Sequence, residues 1–248
     1  MKDLRFRLLG ACAVLLLATP AFSDHHAAGP LGYGLTIGFD VSDPAAFVSA
    51  IDKRRASELG TSVPVGVSLN QVLNAGDMSA THTVGVFYSS AADMDAAAAV
   101  ARGSKELAEF QDAIRPISDG TFRNMWSLEK MHAKEGAVTS ESPVSLVYSL
   151  VVTNPAVFMP ALEAAWNSEA MKAFPGNVFF IASFANGDSE AAHYVSFQAN
   201  DMATLTAGMR EMMASPAMAA YRSAVASART IEAEAVSRRV KSWPMPSP

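Results

Sequence analysis

The sequence predicts an α+β fold built from two β-α-β-β-α-β units in tandem. The main observation is a seven-residue segment that occurs twice. Gly76–His82 is matched by Gly187–His193 at an offset of 187 − 76 = 111 residues. Each copy is typical of a hairpin turn followed by the start of a strand. Ser42–Pro44 is matched by Thr153–Pro155 at the same offset. An offset as long as a small domain indicates two copies of one structural unit.

Residues 1–23 have the pattern of a secretory signal peptide. A basic start is followed by the short apolar run Leu8–Leu17 and by the small-x-small cleavage site Ala21–Ser23. The apolar run is too short to serve as a stop-transfer helix. We therefore expect a periplasmic or secreted protein.

The expected mature chain is acidic and contains no cysteine. Cleavage after Ser23 removes Cys12, so a disulfide, a thiol nucleophile and a cysteine metal site are all excluded. It also removes three cations and one anion, which changes the formal charge from −5 to −7. Such a protein is a poor candidate for nucleic acid or for an anionic membrane surface. No later apolar run is long enough for stable membrane insertion.

The two units are predicted over residues 31–131 and 144–243, with residues 132–143 as a polar linker. Alternation of apolar and polar residues predicts the strands, and apolar residues at helical spacing predict the helices between them. The first unit has strands at Tyr33–Val41, Val65–Leu73 and His82–Tyr88, a long helical region at Asp93–Ile114 and an extended end at Phe122–Met131. The second has corresponding strands at Leu146–Val152, Val178–Phe184, His193–Phe197 and Ile231–Val240.

A shorter repeat predicts that each helical region breaks into two pieces. Ser104, Ser168 and Ser215 are each followed by an apolar residue three positions later and an aromatic residue six positions later, and Ser57 begins a weaker copy. Serine is a preferred helix N-cap, and residues three and six positions later lie on the same side of the new helix. Pro216 also suits a first helical turn.

This order of elements, the offset and the serine helix restarts resemble the dimeric α+β barrel superfamily. That group includes antibiotic-biosynthesis-monooxygenase-like and stress-responsive barrel proteins, and the resemblance covers Tyr33 to Trp243. It implies two ferredoxin-like sheets that form one eight-stranded antiparallel barrel with helices outside. Internal pairing would replace the usual homodimer, so we expect a monomer. The superfamily hosts many chemistries, and no catalytic motif of one member is matched, so no catalytic residue and no cofactor is inferred from it.

His82 and His193 are the candidate catalytic residues. Each begins a strand, in phase with apolar residues that alternate behind it. One interpretation is a general base or ligand contact in each half. The other is a structural histidine that bonds a backbone carbonyl or the turn aspartate, Asp77 or Asp188. Preservation in both copies favours the structural interpretation.

The leading functional hypothesis is a protein that binds a small apolar or aromatic ligand between sheet and helices. The second half offers His193 and the aromatic candidates Tyr148, Trp166, Phe180 and Phe184. One alternative is a cofactor-independent, monooxygenase-like enzyme that uses His82 or His193 as its base. Another is a barrel packed solid, with a structural or protein-interaction role.

The halves differ at the end of their first helix and in methionine content. Lys53-Arg54-Arg55 corresponds to Ala164-Ala165-Trp166. This difference is consistent with an anion site in the first half and an apolar pocket in the second, or with a solvated face and a core tryptophan. Methionines of the last helical region can form a flexible ligand-accepting wall or ordinary core; they are Met209, Met212, Met213 and Met218.

The expected mature N-terminus is a candidate metal site. After cleavage at Ser23 the chain begins Asp24-His25-His26. A free amine, two amides and an imidazole at the third residue suit square-planar Cu(II) or Ni(II). A shift of one residue in the cleavage point removes this arrangement.

Overall fold

The computed structural model describes residues 29–76, 79–185 and 189–245. The first half contains β1 (Gly32–Val41), α1 (Pro44–Ala56), α2 (Glu58–Ser62), β2 (Gly66–Asn74), β3 (His82–Tyr88), α3 (Ala91–Ala101), α4 (Lys105–Ile114) and β4 (Ser118–His132). The second contains β5 (Val144–Val152), α5 (Pro155–Trp166), α6 (Glu169–Ala173), β6 (Asn177–Ala185), β7 (His193–Ala199), α7 (Met202–Ala214), α8 (Pro216–Val225) and β8 (Arg229–Trp243).

The element order confirms the predicted repeat. Strands β4 and β8 start 229 − 118 = 111 residues apart and end 243 − 132 = 111 residues apart, so both are longer than predicted by the same amount. His132 lies in β4 and not in the linker, and residues 133–143 form neither helix nor strand. The turn residues Asp77 and Asp188 lie outside the described part of the chain.

All four serines predicted to restart helices are N-caps. Their side-chain oxygens accept hydrogen bonds from the backbone N–H three residues later, at 3.1 to 3.3 Å. These bonds satisfy donors that a helix start leaves unpaired. Each predicted helical region is therefore two helices, as the serine pattern indicates.

The eight strands form one closed antiparallel barrel in the order β1-β3-β2-β8-β5-β7-β6-β4. The halves are joined along two seams, where β4 pairs with β6 and β8 pairs with β2. Each half's longest strand therefore crosses to the other half. This arrangement confirms the α+β barrel with helices outside, and closure leaves no unpaired sheet edge.

The two faces of the barrel wall have different contents. On β1, a Cβ at Gly34 would lie 2.1 Å from the Trp126 ring, so glycine is required there to admit the indole. Trp126 donates from Nε1 to Thr36 Oγ1 at 2.9 Å. The opposite face packs against the helices and carries the hydrophobic core, including Phe47 in the first half and Phe158 in the second.

Candidate functional site

A pocket of about 220 Å³ lies between the second-half sheet and its four helices. Strands β5, β7 and β8 form its floor, and α5 to α8 form its walls. Its apolar lining comprises Leu150, Leu162, Ala165, Met171, Val195, Phe197, Met209, Met213, Met218 and Ile231. Its polar lining comprises Tyr148, Tyr221, Arg222, Arg229 and Glu234.

The serine helix restarts bring several lining residues to the pocket. Ser215 caps α8, and the residues three and six positions later, Met218 and Tyr221, both line the pocket. Ser168 caps α6, and Met171 three positions later lines it as well. The short repeat in the sequence therefore positions three of the lining side chains.

Two tyrosines provide neutral hydrogen-bonding groups in this lining. Burial raises the pKa of Tyr148, and the nearby Glu234 carboxylate raises it further. Burial also raises the pKa of Tyr221, although the positive charge of Arg229 opposes the shift. Both side chains are therefore phenols at neutral pH, because their pKa values move upward from an ordinary value near 10.

Two arginines and one glutamate are the charged residues of the pocket lining. Arg222 donates from Nη1 to the backbone carbonyl of Met213 at 2.8 Å, which ties α8 to the end of α7. The guanidinium carbon of Arg229 lies 5.8 Å from the centre of the Tyr221 ring. Glu234 pairs across the sheet with Tyr148. A ligand among the apolar side chains would therefore also meet charged groups of the lining.

His193 lies beside the pocket and is absent from its lining. Its ring stacks on Phe180 with a centroid distance of 5.6 Å, and Phe158 lies 5.9 Å away. Burial lowers the pKa of His193, while Glu129 opposes the shift. Its Nδ1 is buried without a hydrogen-bond partner among the described residues. The imidazole is therefore neutral at pH 7 and has a free ring nitrogen.

His82 is held more tightly in the first half. It is 5% exposed, and its Nδ1 lies 3.1 Å from the hydroxyl of Thr81. That hydroxyl also accepts a hydrogen bond from the backbone N–H of Val41 at 2.8 Å. Burial lowers the pKa of His82, and Asp40 opposes this effect. The contact to Thr81, which is neither a carbonyl nor a turn aspartate, connects the start of β3 to the end of β1.

Of the four aromatic residues predicted to bind a ligand, only Tyr148 belongs to the lining of this pocket. Trp166 is buried beneath the His132 ring, which stacks on it at 4.5 Å with an interplanar angle of 17°. Phe180 is buried among Phe158 and His193. Phe184 is 55% exposed and contacts Tyr33 edge-on. These three rings therefore pack elsewhere, because β4 and β6 lie on the side of the half away from β8.

The methionines divide between the two predicted roles. Met209, Met213 and Met218 line the pocket, whereas Met212 is buried in the core behind it. Sequence reasoning missed the charged residues Arg222, Arg229 and Glu234. Glu234 gives no sequence signal, because a register shift between β5 and β8 brings it to the pocket.

The candidate metal residues Asp24, His25 and His26 lie outside the described part of the chain. Within residues 29–76, 79–185 and 189–245, no three histidine, cysteine, aspartate or glutamate side chains are grouped closely enough to hold a metal ion. In the same ranges, every helix is too short or too polar to cross a membrane.

Known structures share this fold at low sequence identity. A suspected monooxygenase from Fusobacterium nucleatum superposes with a TM-score of 0.56 and 11% identity, covering 88% of this chain and 96% of that one. A suspected monooxygenase from Lactobacillus acidophilus gives 0.54 and 10%, covering 88% and 98%. An anthrone oxidase-like protein gives 0.52 and 11%, covering 88% and 94%.

No family profile and no curated protein matches the sequence. The fold is that of the dimeric α+β barrel proteins, completed here within a single chain. Identities near 10% show the fold alone, so the function of this chain must be argued from its own residues.

Proposed function

We propose that this is an exported protein that binds a small apolar or aromatic molecule in the second-half pocket. The observation that carries the proposal is the pocket itself, a mainly apolar space between sheet and helices with a few polar groups in its lining. Sites of this composition are typical of small-molecule binding, because apolar walls supply affinity and polar groups fix orientation.

The volume limits the size of the ligand. A cavity of about 150 Å³ is enough to bind benzene in a protein core. At about 220 Å³ this pocket suits a body of roughly two fused rings. The methionine side chains of α6, α7 and α8 are unbranched and flexible, so the walls adapt to ligands of related shape.

Isothermal titration calorimetry with 2-naphthamide, a neutral bicyclic probe, tests the proposal. Ala165 lines the pocket and is buried, so Ala165→Phe places a ring in the space that the probe would occupy. Ala164 is the exposed neighbour on the same helix, which makes Ala164→Phe the matched control. We expect one probe per wild-type chain, at least tenfold weaker binding in A165F and unchanged binding in A164F.

Two results would overturn the binding proposal. Equal affinity in the wild type and A165F would place the probe elsewhere on the protein. No binding by the wild type would favour the alternative of a barrel with a structural or protein-interaction role. Thermal unfolding of each variant verifies that A165F is folded.

A monooxygenase-like activity is the second candidate, and His193 is the observation in its favour. Its buried imidazole is neutral, and its Nδ1 has no hydrogen-bond partner among the described residues, which suits a general base. It also pairs across the sheet with Leu150, which lines the pocket. Suspected monooxygenases and an anthrone oxidase-like protein share the fold.

Oxygen uptake with 1-naphthol, a bicyclic substrate of the size that the pocket suits, tests this second candidate. The substrate would give its hydroxyl proton to His193 as base and take up O₂, leaving 1,4-naphthoquinone and water. We expect His193→Ala to abolish any rate above buffer while retaining 2-naphthamide binding, and His82→Ala to retain turnover. If the wild type does not accelerate oxygen uptake, the enzymatic candidate is wrong and the binding proposal is unaffected. If both variants only lower stability, the two histidines are structural.

A further inference from the structure

Arg229 is a cation of the pocket lining that forms no salt bridge within the described part of the chain. It begins β8, and its guanidinium carbon lies 5.8 Å from the Tyr221 ring. Its Nε is buried without a hydrogen-bond partner, and no carboxylate of the described residues forms a salt bridge with it. A half-buried cation that lacks a carboxylate partner has its charge only partly compensated, so an anion supplied from outside the chain would be favourable.

The neighbouring charges do not replace that acceptor. Arg222 directs Nη1 to the carbonyl of Met213, at 2.8 Å. Glu234, the one acidic residue in the lining, raises the pKa of Tyr148 and forms no salt bridge with either arginine in the described part of the chain. The lining therefore carries two cations and one anion, although the protein as a whole has a formal charge of −5.

The fold does not require a cation at this position. The equivalent residue of the first half is Ser118, at the same offset of 229 − 118 = 111. Ser118 begins β4 and donates from its hydroxyl to the carbonyl of Ile114, at the end of α4. The strand therefore starts in the same way with a small neutral side chain, and Arg229 is specific to the half that has the described pocket.

We infer that the ligand is a compact organic monoacid, with its apolar body among the methionines and its acid group on Arg229. The inference rests on the proposed binding function and adds the ligand class. An arginine fork matches a carboxylate through two parallel hydrogen bonds, and such charge-assisted bonds are stronger than neutral ones. The ring of Tyr221 lies beside the guanidinium and holds Arg229 in the pocket lining, where the acid group of a ligand would meet it.

The experiment compares 2-naphthoate with its neutral isostere 2-naphthamide by calorimetry at pH 7.5. We expect the wild type to prefer 2-naphthoate by roughly tenfold or more, in line with a charge-assisted hydrogen bond. Arg229→Gln should remove this preference, so its loss of 2-naphthoate affinity should exceed its loss of 2-naphthamide affinity by roughly the same tenfold factor. Arg229→Lys should restore part of it, because it retains charge without the fork.

Arg210→Gln is the control for net charge. Arg210 is exposed on α7 and absent from the pocket lining, so this variant should retain the preference for the acid. If R210Q loses the preference for the acid as fully as R229Q does, the preference comes from the net charge of the protein. If R229Q loses affinity for both probes equally, Arg229 only maintains the shape of the pocket. Either result overturns the inference. If 2-naphthamide binds with the A165F pattern but the wild type shows no preference for the acid, the ligand class is wrong and the binding function stands. If neither probe binds, the binding function itself fails.

Discussion

The two halves share a backbone plan but differ in what lies between sheet and helices. Ala165 lines the second-half pocket, and its equivalent at 165 − 111 = 54 is Arg54. The guanidinium carbon of Arg54 lies 5.1 Å over the ring of Phe110, which is the equivalent of Tyr221. A long half-buried side chain thus occupies, in the first half, the place that a methyl group leaves open in the second.

The hydrophobic cores of the two halves also differ, in how continuous they are. Around the pocket, the buried apolar side chains of the second half form one continuous cluster that includes Phe158, Phe180 and Phe197. Those of the first half form two separate clusters, one around Phe47 and the other around Leu59. Strand order and helix caps therefore set the frame, whereas single side-chain volumes at a few equivalent positions decide whether the frame contains a pocket.

Truncating the central phenylalanine of each half should have the largest effect on stability. Phe47 and Phe158 are equivalent, both are 0% exposed, and each begins the buried face of its helix. We expect each phenylalanine-to-alanine change to lower the free energy of unfolding by about 3–5 kcal/mol. The cost should be greater for Phe158, whose ring contacts both Phe180 and His193. Urea unfolding measures both values, and a greater cost at Phe47 would contradict the continuous second-half core.

Arg54→Ala should make the first half more like the second. Removing the guanidinium from above Phe110 loses a cation–π contact and should cost up to about 2 kcal/mol. It also opens the space equivalent to the pocket, so we expect the stoichiometry of 2-naphthamide to rise from one to two sites per chain. Calorimetry measures the stoichiometry, with Lys53→Ala on the exposed face of the same helix as the control. An unchanged stoichiometry would mean that Arg54 is not what closes the first half.

The two histidines should give the smallest effect, a loss of stability in mild acid. Burial lowers the pKa of both below the ordinary histidine value of 6.5, so the unfolded chain binds protons more readily than the folded one. The contribution of the neutral histidines to the free energy of unfolding is therefore fully present above about pH 6.5, and it decreases as the pH falls below that value. We expect His82→Asn and His193→Asn each to flatten this dependence, measured by urea unfolding at pH 8.0 and 5.5.

At pH 8.0 the two histidine variants should differ. His82→Asn disturbs the contact with the Thr81 hydroxyl, whereas Nδ1 of His193 has no partner to lose among the described residues. A hydrogen bond contributes about 1 kcal/mol, so the variant at position 82 should cost more at this pH. An equal cost would indicate that ring packing, not hydrogen bonding, is what both positions provide.

Most of the frame was predictable because its signals are local. Alternating strands, the proline-containing helix starts and the four serine caps each depend on neighbouring residues, and the offset of 111 residues combined them into two units. The serine pattern even identifies Met171, Met218 and Tyr221 by their distance from a cap.

The position of Glu234 in the pocket lining was not predictable, because it depends on an irregularity of the sheet. Ile231 and Glu234 both line the pocket although they are three positions apart, which strict alternation would place on opposite faces. The register between β5 and β8 shifts between Ser149 and Leu150, and this bulge brings both residues to the helix side. Trp166 was predicted to contact a ligand, but it does not line the pocket. Helical spacing places it on the buried face of its helix, but the spacing does not show that His132 of β4 covers it.

The two seams of the barrel have a consequence for how such a protein diversifies. In a symmetric homodimer of one such unit, every substitution would appear twice, so arginine at position 54 would mean arginine at its partner as well. Here β4 and β8 reproduce both seams within one polypeptide, and the two positions are free to differ. One half is then able to specialise for a small molecule while the other half supports it. The two halves always pair one to one, because the peptide chain joins them and no association of separate chains is needed.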